Sequence, residues 1–147
     1  MESNHYRNIK ETYKIESTLG RGSFATVKKA KFRSTGERFA VKVLSKKKMS
    51  DEDNATMQQE IEILRQVDHP NVVKLIDVFE DERHWCLVME LMEGGELFDE
   101  LHRRGGRLAE EDVRLVAAQL CSALKYCHDN NVCHRDIKLE NVLLAKP

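Results

Sequence analysis

Two groups of residues have types and spacing suited to handling an anionic ligand, and a third concentrates ionisable side chains in one short stretch. The first, Leu19-Gly20-Arg21-Gly22-Ser23-Phe24-Ala25-Thr26-Val27, follows Gly-x-Gly-x-x-Gly-x-Val with Ala25 in place of the third glycine. Glycine lets backbone N–H groups approach phosphate oxygens with no Cβ in the way. A tight hairpin needs glycine for its own geometry as well, so the loop alone decides nothing. The second group is built on Lys42. Along residues 38–44, Phe39, Val41 and Val43 share one strand face while Ala40 and Lys42 share the other. An inward ammonium is costly unless an anion meets it. Glu60 lies on the apolar side of a helical pattern, between Met57 and Leu64, and is the natural partner. Together they would aim Lys42 at phosphate oxygens, although a plain ion pair or a lysine with its head in water is the better reading of these two residues alone. The third group is His134-Arg135-Asp136-Ile137-Lys138-Leu139-Glu140-Asn141, set between a long amphipathic stretch and the apolar run Val142 to Leu144.

The elements that carry these groups read as strands first and helices later. Tyr13, Ile15, Ser17 and Leu19 alternate, Gly20 to Ser23 makes a loop, and residues 27–32 resume as a strand, giving a hairpin with a glycine-rich tip. A strand-loop-strand setting excludes the dinucleotide-binding use of such glycines, which requires a strand-loop-helix. A turn at Ser34-Thr35-Gly36 leads into the Lys42 strand. From Ser50 the pattern is helical: Ser50 is a cap, residues 51–53 suit the positive end of a helix, and Met57, Ile61 and Leu64 recur at helical spacing. Strands over 72–79 and 85–90 complete a mostly antiparallel sheet. Gly94-Gly95 then breaks the chain. Helices follow over 96–104, ended by Gly105-Gly106, and over 110–128, where Val113, Val116, Ala117, Leu120, Leu124 and Cys127 form a stripe.

The chain has 147 residues, 41% of them hydrophobic and 33% charged, which suits one soluble globular unit and excludes a disordered tail or a membrane protein. Lys and Arg total 24 against 25 acidic residues, giving no reason to expect nucleic acid or an anionic membrane as partner. Lys46-Lys47-Lys48 reads as a solvated turn. Cys86, Cys121, Cys127 and Cys133 form neither a Cys-x-x-Cys pair nor a regular framework, and the start is polar. A reduced cytoplasmic or nuclear setting fits. Cys121, Cys127 and His128 have no second ligand pair and are not read as a metal site.

Taken in order, the glycine-rich loop, Ala40-Val41-Lys42, the helical Glu60 and the His-Arg-Asp-x-x-x-x-Asn pattern at 134–141 resemble the eukaryotic protein kinase catalytic domain. The resemblance runs from Tyr13 onward and is nearest to serine/threonine kinases of the calcium/calmodulin-dependent group, with Lys138 pointing to serine or threonine as acceptor. It implies an α+β, protein-kinase-like fold: a flexible arm over 1–12, an N-terminal antiparallel sheet lobe with one main helix over 13–91, and the incomplete start of a helical C-terminal lobe over 92–147. It implies ATP and Mg²⁺. Leu19, Val27 and Ala40 would roof the adenine and Leu143 would floor it. Glu90 and Met92 would hold the base through main-chain groups, with Met89 guarding the back pocket. Gly20, Arg21, Gly22, Ser23, Phe24 and Ala25 would cover the phosphates, and Lys42, oriented by Glu60, would pin two of them. Glu96 resembles the residue that holds the ribose, and Glu140 one that faces arginine in basic-directed kinases. Asp136 would take the substrate hydroxyl proton, Lys138 would neutralise the transferring group, Asn141 would hold Mg²⁺, and Arg135 would pair with a phosphorylated activation loop.

The 147 residues contain no Asp-Phe-Gly, activation segment or Ala-Pro-Glu. The expectation is therefore the N-terminal half of a catalytic domain, with little transfer by this chain alone. Its apolar stripe over 110–128 would be left exposed and covered by the parent domain or a partner. Protein substrates with upstream basic residues are the implied partners. A second reading is a non-catalytic kinase-like binding or decoy module. A third, an unrelated nucleotide-binding domain, needs an acidic metal site that the sequence lacks.

Overall fold

The computed structural model describes residues 7–146. Its contacts divide into two compact units: one holds the chain up to Gln66 together with Lys74–Leu91, the other Val67–Val73 and the chain from Met92 onward.

The first unit is a five-stranded antiparallel sheet, ordered β1-β2-β3-β5-β4, made of β1 (Tyr13–Arg21), β2 (Ala25–Phe32), β3 (Arg38–Ser45), β4 (Leu75–Glu80) and β5 (His84–Glu90). Period-two alternation gives the sheet two apolar faces. On one, Tyr13, Ala30, Val41, Phe79, Cys86 and Val88 are buried, with Phe32, Phe39 and Val43 packed against them. Tyr13 meets Phe32, Phe39 and Phe79 at ring distances of 5.3–5.9 Å. On the other, Leu44, Trp85 and Leu87 pack with Met57 and Ile61 of α2 (Asp51–Gln66). The strand alternation read from the sequence is therefore the one the sheet uses. β4 begins at Leu75 rather than Val72, because the residues before it fold with the second unit.

A polar stretch expected as a flexible arm is partly structured. Residues 1–6 lie outside the described part, but α1 (Ile9–Thr12) is capped by Asn8 and sets Ile9 against the first cluster. Arg7 pairs with Asp77 at 2.6 Å and lies 4.6 Å over the Phe79 ring, and Arg33 donates to the Lys10 carbonyl. One apolar side chain and two guanidinium contacts fasten what composition alone reads as loose.

The second unit contains α3 (Leu97–Arg103) and α4 (Glu110–Asp129). Val67–Val73 is tied to α4 by the Asp68 N–H donating to the Tyr126 hydroxyl (3.0 Å), by His69 Nε2 at 3.1 Å from Ser122 Oγ, and by Asn71 donating to Gln119 (3.4 Å). Of the α4 stripe, Cys127 is buried, Val116, Leu120 and Leu124 are half-buried, and Val113 is 47% exposed. Leu115 beside it is 58% exposed, so the uncovered apolar surface gathers at the N-terminal half of α4.

Candidate functional site

In the sheet unit, β1 and β2 pair as far as Arg21↔Thr26, and the Gly22 N–H closes the tip on the Ala25 carbonyl at 2.8 Å. Ala25, at the third-glycine position, sets its methyl against the Leu44–Trp85 cluster, which explains why a side chain is useful there. Leu19, Arg21, Ser23 and Phe24 are exposed, Phe24 at 61%. Register places Val27, Lys42 and Leu87 side by side across three strands, and Lys29, Ala40 and Met89 in the next row on the same face. Val27 and Ala40, the expected roof residues, thus flank the half-buried Lys42, as two-residue spacing demands. A shallow cavity at the hairpin tip, lined in part by Thr26, Val43, Ser45, Lys48 and His84, takes in neither Lys42 nor Glu60.

The expected Lys42–Glu60 ion pair is absent among the described residues. Only Met57 and Ile61 of α2 are buried, Leu64 is exposed, and Glu60 faces solvent beside Ile61. The buried stripe of α2 is narrower than its apolar pattern suggests, so the helix turns its glutamate outward. Lys42 is half-buried rather than fully buried, the lower-cost arrangement for an ammonium without an anionic partner.

Glu90 ends β5 with two bonds to Lys74: its N–H donates to the Lys74 carbonyl (3.1 Å), and its carboxylate accepts from the Lys74 N–H (3.0 Å). The side chain of an expected base-holding residue thus fixes the end of its own strand. Met92 begins the second unit and is half-buried.

In the second unit the charged segment forms a self-fastened loop. Asn141 Nδ2 donates to the Asp136 carbonyl (2.8 Å) and to Asp136 Oδ2 (3.0 Å). Lys138 Nζ lies 3.4 Å from the same Oδ2, and the Asp136 N–H donates to His134 Nδ1 (3.2 Å). A 3-10 turn over Leu139–Asn141 returns the amide to the aspartate, and Arg135 takes a left-handed φ of 67° to aim the chain. Because Asn141 Nδ2 faces two acceptors, its Oδ1 is left as a ligand for a cation. Asp136 Oδ1 carries none of these contacts. Glu140 stands exposed on the same turn.

A short ladder supports this loop. The Leu97 N–H donates to Val142, Leu144 to Gly95 and Gly94 to Leu144, each at 2.8 Å, and Glu96 bridges Leu143. Glu96 and Leu143, assigned to ribose and adenine by resemblance, are thereby neighbours. The pairing signal was missed in the sequence, although Gly94 marks it. A Cβ at Gly94 would collide with the Lys146 carbonyl and lie 2.7 Å from that of Leu144. Only glycine permits that approach. Gly95 beside it has φ +74°.

Among the described residues no group of three or more His, Cys, Asp or Glu could hold a metal, and all four cysteines are free thiols. A magnesium ion resting on Asn141 Oδ1 is compatible with this, because Mg²⁺ keeps water and phosphate oxygens and takes few protein ligands. No helix among the described residues is long and apolar enough to cross a membrane.

The protein kinase domain family model matches residues 13–147, and the chain belongs to that family. Similar proteins include a probable serine/threonine-protein kinase, fhkD, of Dictyostelium discoideum, 39% identical over 93% of this chain and 18% of its own length. NUAK family SNF1-like kinase 1 of Homo sapiens is 40% identical over 95% of this chain and 21% of its own. Calcium-dependent protein kinase 5 of Plasmodium falciparum is 41% identical over 92% and 23%. The chain thus spans about a fifth of the length of these relatives. The crystal structure of Rad53 1–466 in complex with AMP-PNP matches with a TM-score of 0.83 and 39% identity, over 94% of this chain and 36% of that one.

Proposed function

We propose that the chain carries the nucleotide-holding and hydroxyl-activating residues of an ATP-dependent protein serine/threonine kinase that works inside the cell. The observation that supports this best is the Asp136 carboxylate, oriented by Asn141 and Lys138 with its second oxygen left uncommitted. ATP supplies the phosphoryl group, and Mg²⁺ draws charge from its oxygens. Asp136 orients the serine or threonine hydroxyl and takes its proton late in transfer. Lys138 offsets the negative charge that develops beside it. Asn141 holds Asp136 with its amide nitrogen and offers its oxygen to the metal. In the other unit, Lys42 binds phosphate oxygens, the glycine-rich tip lets backbone N–H groups approach them, and Leu19, Val27 and Ala40 give an apolar roof for adenine, with Met89 guarding the back pocket. Movement of α2 to bring Glu60 to Lys42 is the further step that kinase activity requires. Glu96 and Glu140 select basic residues upstream of the acceptor.

The test is transfer of labelled γ-phosphate from MgATP to serine peptides by a form of the protein that also carries the Asp-Phe-Gly and activation segments. Asp136→Asn and Lys42→Met are each expected to lower the rate by about 10²–10⁴-fold with the fold intact. Retained turnover in both rejects these roles. Residues 1–147 alone are expected to transfer little; robust MgATP-dependent phosphorylation by them overturns that statement. Nucleotide binding without turnover in every form would favour the non-catalytic reading instead.

A further inference from the structure

Ser50 stands where the sheet unit's third strand gives way to α2, exposed, between Lys46-Lys47-Lys48-Met49 and Asp51-Glu52-Asp53. Its hydroxyl holds the start of the helix through a reciprocal cap: Ser50 Oγ accepts from the Asp53 N–H (3.0 Å) and donates to Asp53 Oδ2 (2.7 Å), while its own N–H donates to that carboxylate (3.3 Å). Of the three lysines, Lys46 is occupied, with its ammonium 2.7 Å from Glu80 and 5.0 Å over Trp85. Lys47 and Lys48, three and two residues before the serine, are exposed, as are all three acidic residues after it. In the lead-in the Met49 N–H donates to the Lys46 carbonyl (3.3 Å), which also accepts from Asn54 Nδ2 (3.2 Å), and Met49 packs on the Leu44–Trp85 cluster, so Ser50 is presented at a fixed place on the surface. The other hydroxyls after a basic run, Ser34 and Thr35, sit on a hairpin tip where Arg33 is tied to Lys10 and Thr12.

We propose that Ser50 is a phosphoryl acceptor, and that its modification unlocks the first turn of α2, the helix that bears Glu60. Ser50 Oγ bonds to the γ-phosphorus of a nucleoside triphosphate held by the modifying kinase. The bond from that phosphorus to its bridging oxygen breaks, the nucleoside diphosphate leaves with the electron pair, and the hydroxyl proton passes to that kinase's carboxylate base. The product has no proton to give Asp53, and a group of about −1.5 to −2 charge takes its place against that carboxylate. At such separations repulsion from the acidic first turn outweighs attraction from two solvated lysines. The cap changes from a clasp to a repulsive contact. Both charge flanks are readable, the lysines by a basic-directed kinase and the carboxylates by an acid-directed one, and the acceptor chemistry is the same for each.

The purified full chain, MgATP and each class of kinase in separate arms provide the test, with fragment mass spectra distinguishing Ser50 from Thr56 in the same peptide. One arm is expected to place phosphate on Ser50, which identifies the reader. Ser50→Asn, which keeps a competent cap but removes the acceptor, is expected to abolish that incorporation. In the phosphorylated chain, amides of residues 52–54 are expected to exchange about fivefold faster, as loss of a cap implies. Absence of phosphate on Ser50 in both arms overturns the proposal. So does phosphate there with exchange unchanged or slowed.

Discussion

Lys42 and Asp136 are held in opposite ways. Lys42 belongs to a strand whose other face is fully packed around Val41 and Val88, and its backbone neighbours are fixed by register to Val27 and Leu87. Its position is rigid and its charge lacks the expected partner. Asp136 lies on an exposed loop with little packing, yet its carboxylate, carbonyl and N–H all have partners between His134 and Asn141. Burial fixes where a backbone runs, whereas orientation of a charged tip needs polar partners. Such partners come cheaply only when they are near in sequence, because closing a short loop costs little entropy. Asp136 finds all its partners within one turn. The partner expected for Lys42 sits on a separate helix, and that helix buries only two side chains.

The contrast can be broken at its supports. The largest effect is expected from Gly94→Ala, which drives a Cβ into two carbonyls of the ladder under the Asp136 loop; a loss of about 1–3 kcal/mol in urea unfolding is expected. An unchanged midpoint would mean that the ladder yields without cost. Next, Asn141→Ala removes two hydrogen bonds to Asp136 and is expected to cost about 1 kcal/mol of local order. Hydrogen exchange at residues 136–141 should quicken several-fold while the sheet unit is untouched. Glu60→Gln sharpens the other side: without an ion pair to lose, stability should change by less than about 0.5 kcal/mol. A loss above about 1 kcal/mol would show that Glu60 meets Lys42 in solution.

The smallest effect is a pH dependence within α3. Hydrogen bonds from Arg103 and Arg104 hold the Glu100 carboxyl down from the ordinary 4.5 to about 2. A folded value below the unfolded one adds stability at higher pH, which is lost as pH falls from about 4.5 through about 2. Carbon-detected NMR titration of Glu100 should find its midpoint near the lower end of that window. Arg103→Gln with Arg104→Gln should return it toward the upper end.

Much of the sheet was legible because its code is local. Phe39, Val41 and Val43 against Ala40 and Lys42 is a period-two pattern, and the register realises it. The order of residues from 134 to 141 likewise contained the loop, since every contact within it spans five residues or fewer. Contacts distant in sequence were not legible. The α2 pattern includes Leu64, yet only tertiary packing decides that Met57 and Ile61 alone are covered. Nothing in the composition of residues 67–73 says that His69 and Asn71 bond to α4, or that residues 93–97 and 142–145 pair. Polarity near the start concealed Ile9 and Arg7, whose anchoring depends on Asp77 and Phe79 far along the chain.

The ladder between residues 93–97 and 142–145 also sets an order of events during synthesis. Every strand of the sheet unit has been made once Glu90 leaves the ribosome, so that unit can fold while the rest is still being added. The Asp136 loop has no such freedom. Its support needs residues 142–145, so residues 93–97 at the start of α3 stay unpaired until those residues emerge. A ribosome-stalled chain ending before Val142 would therefore present a finished sheet and an unfinished loop.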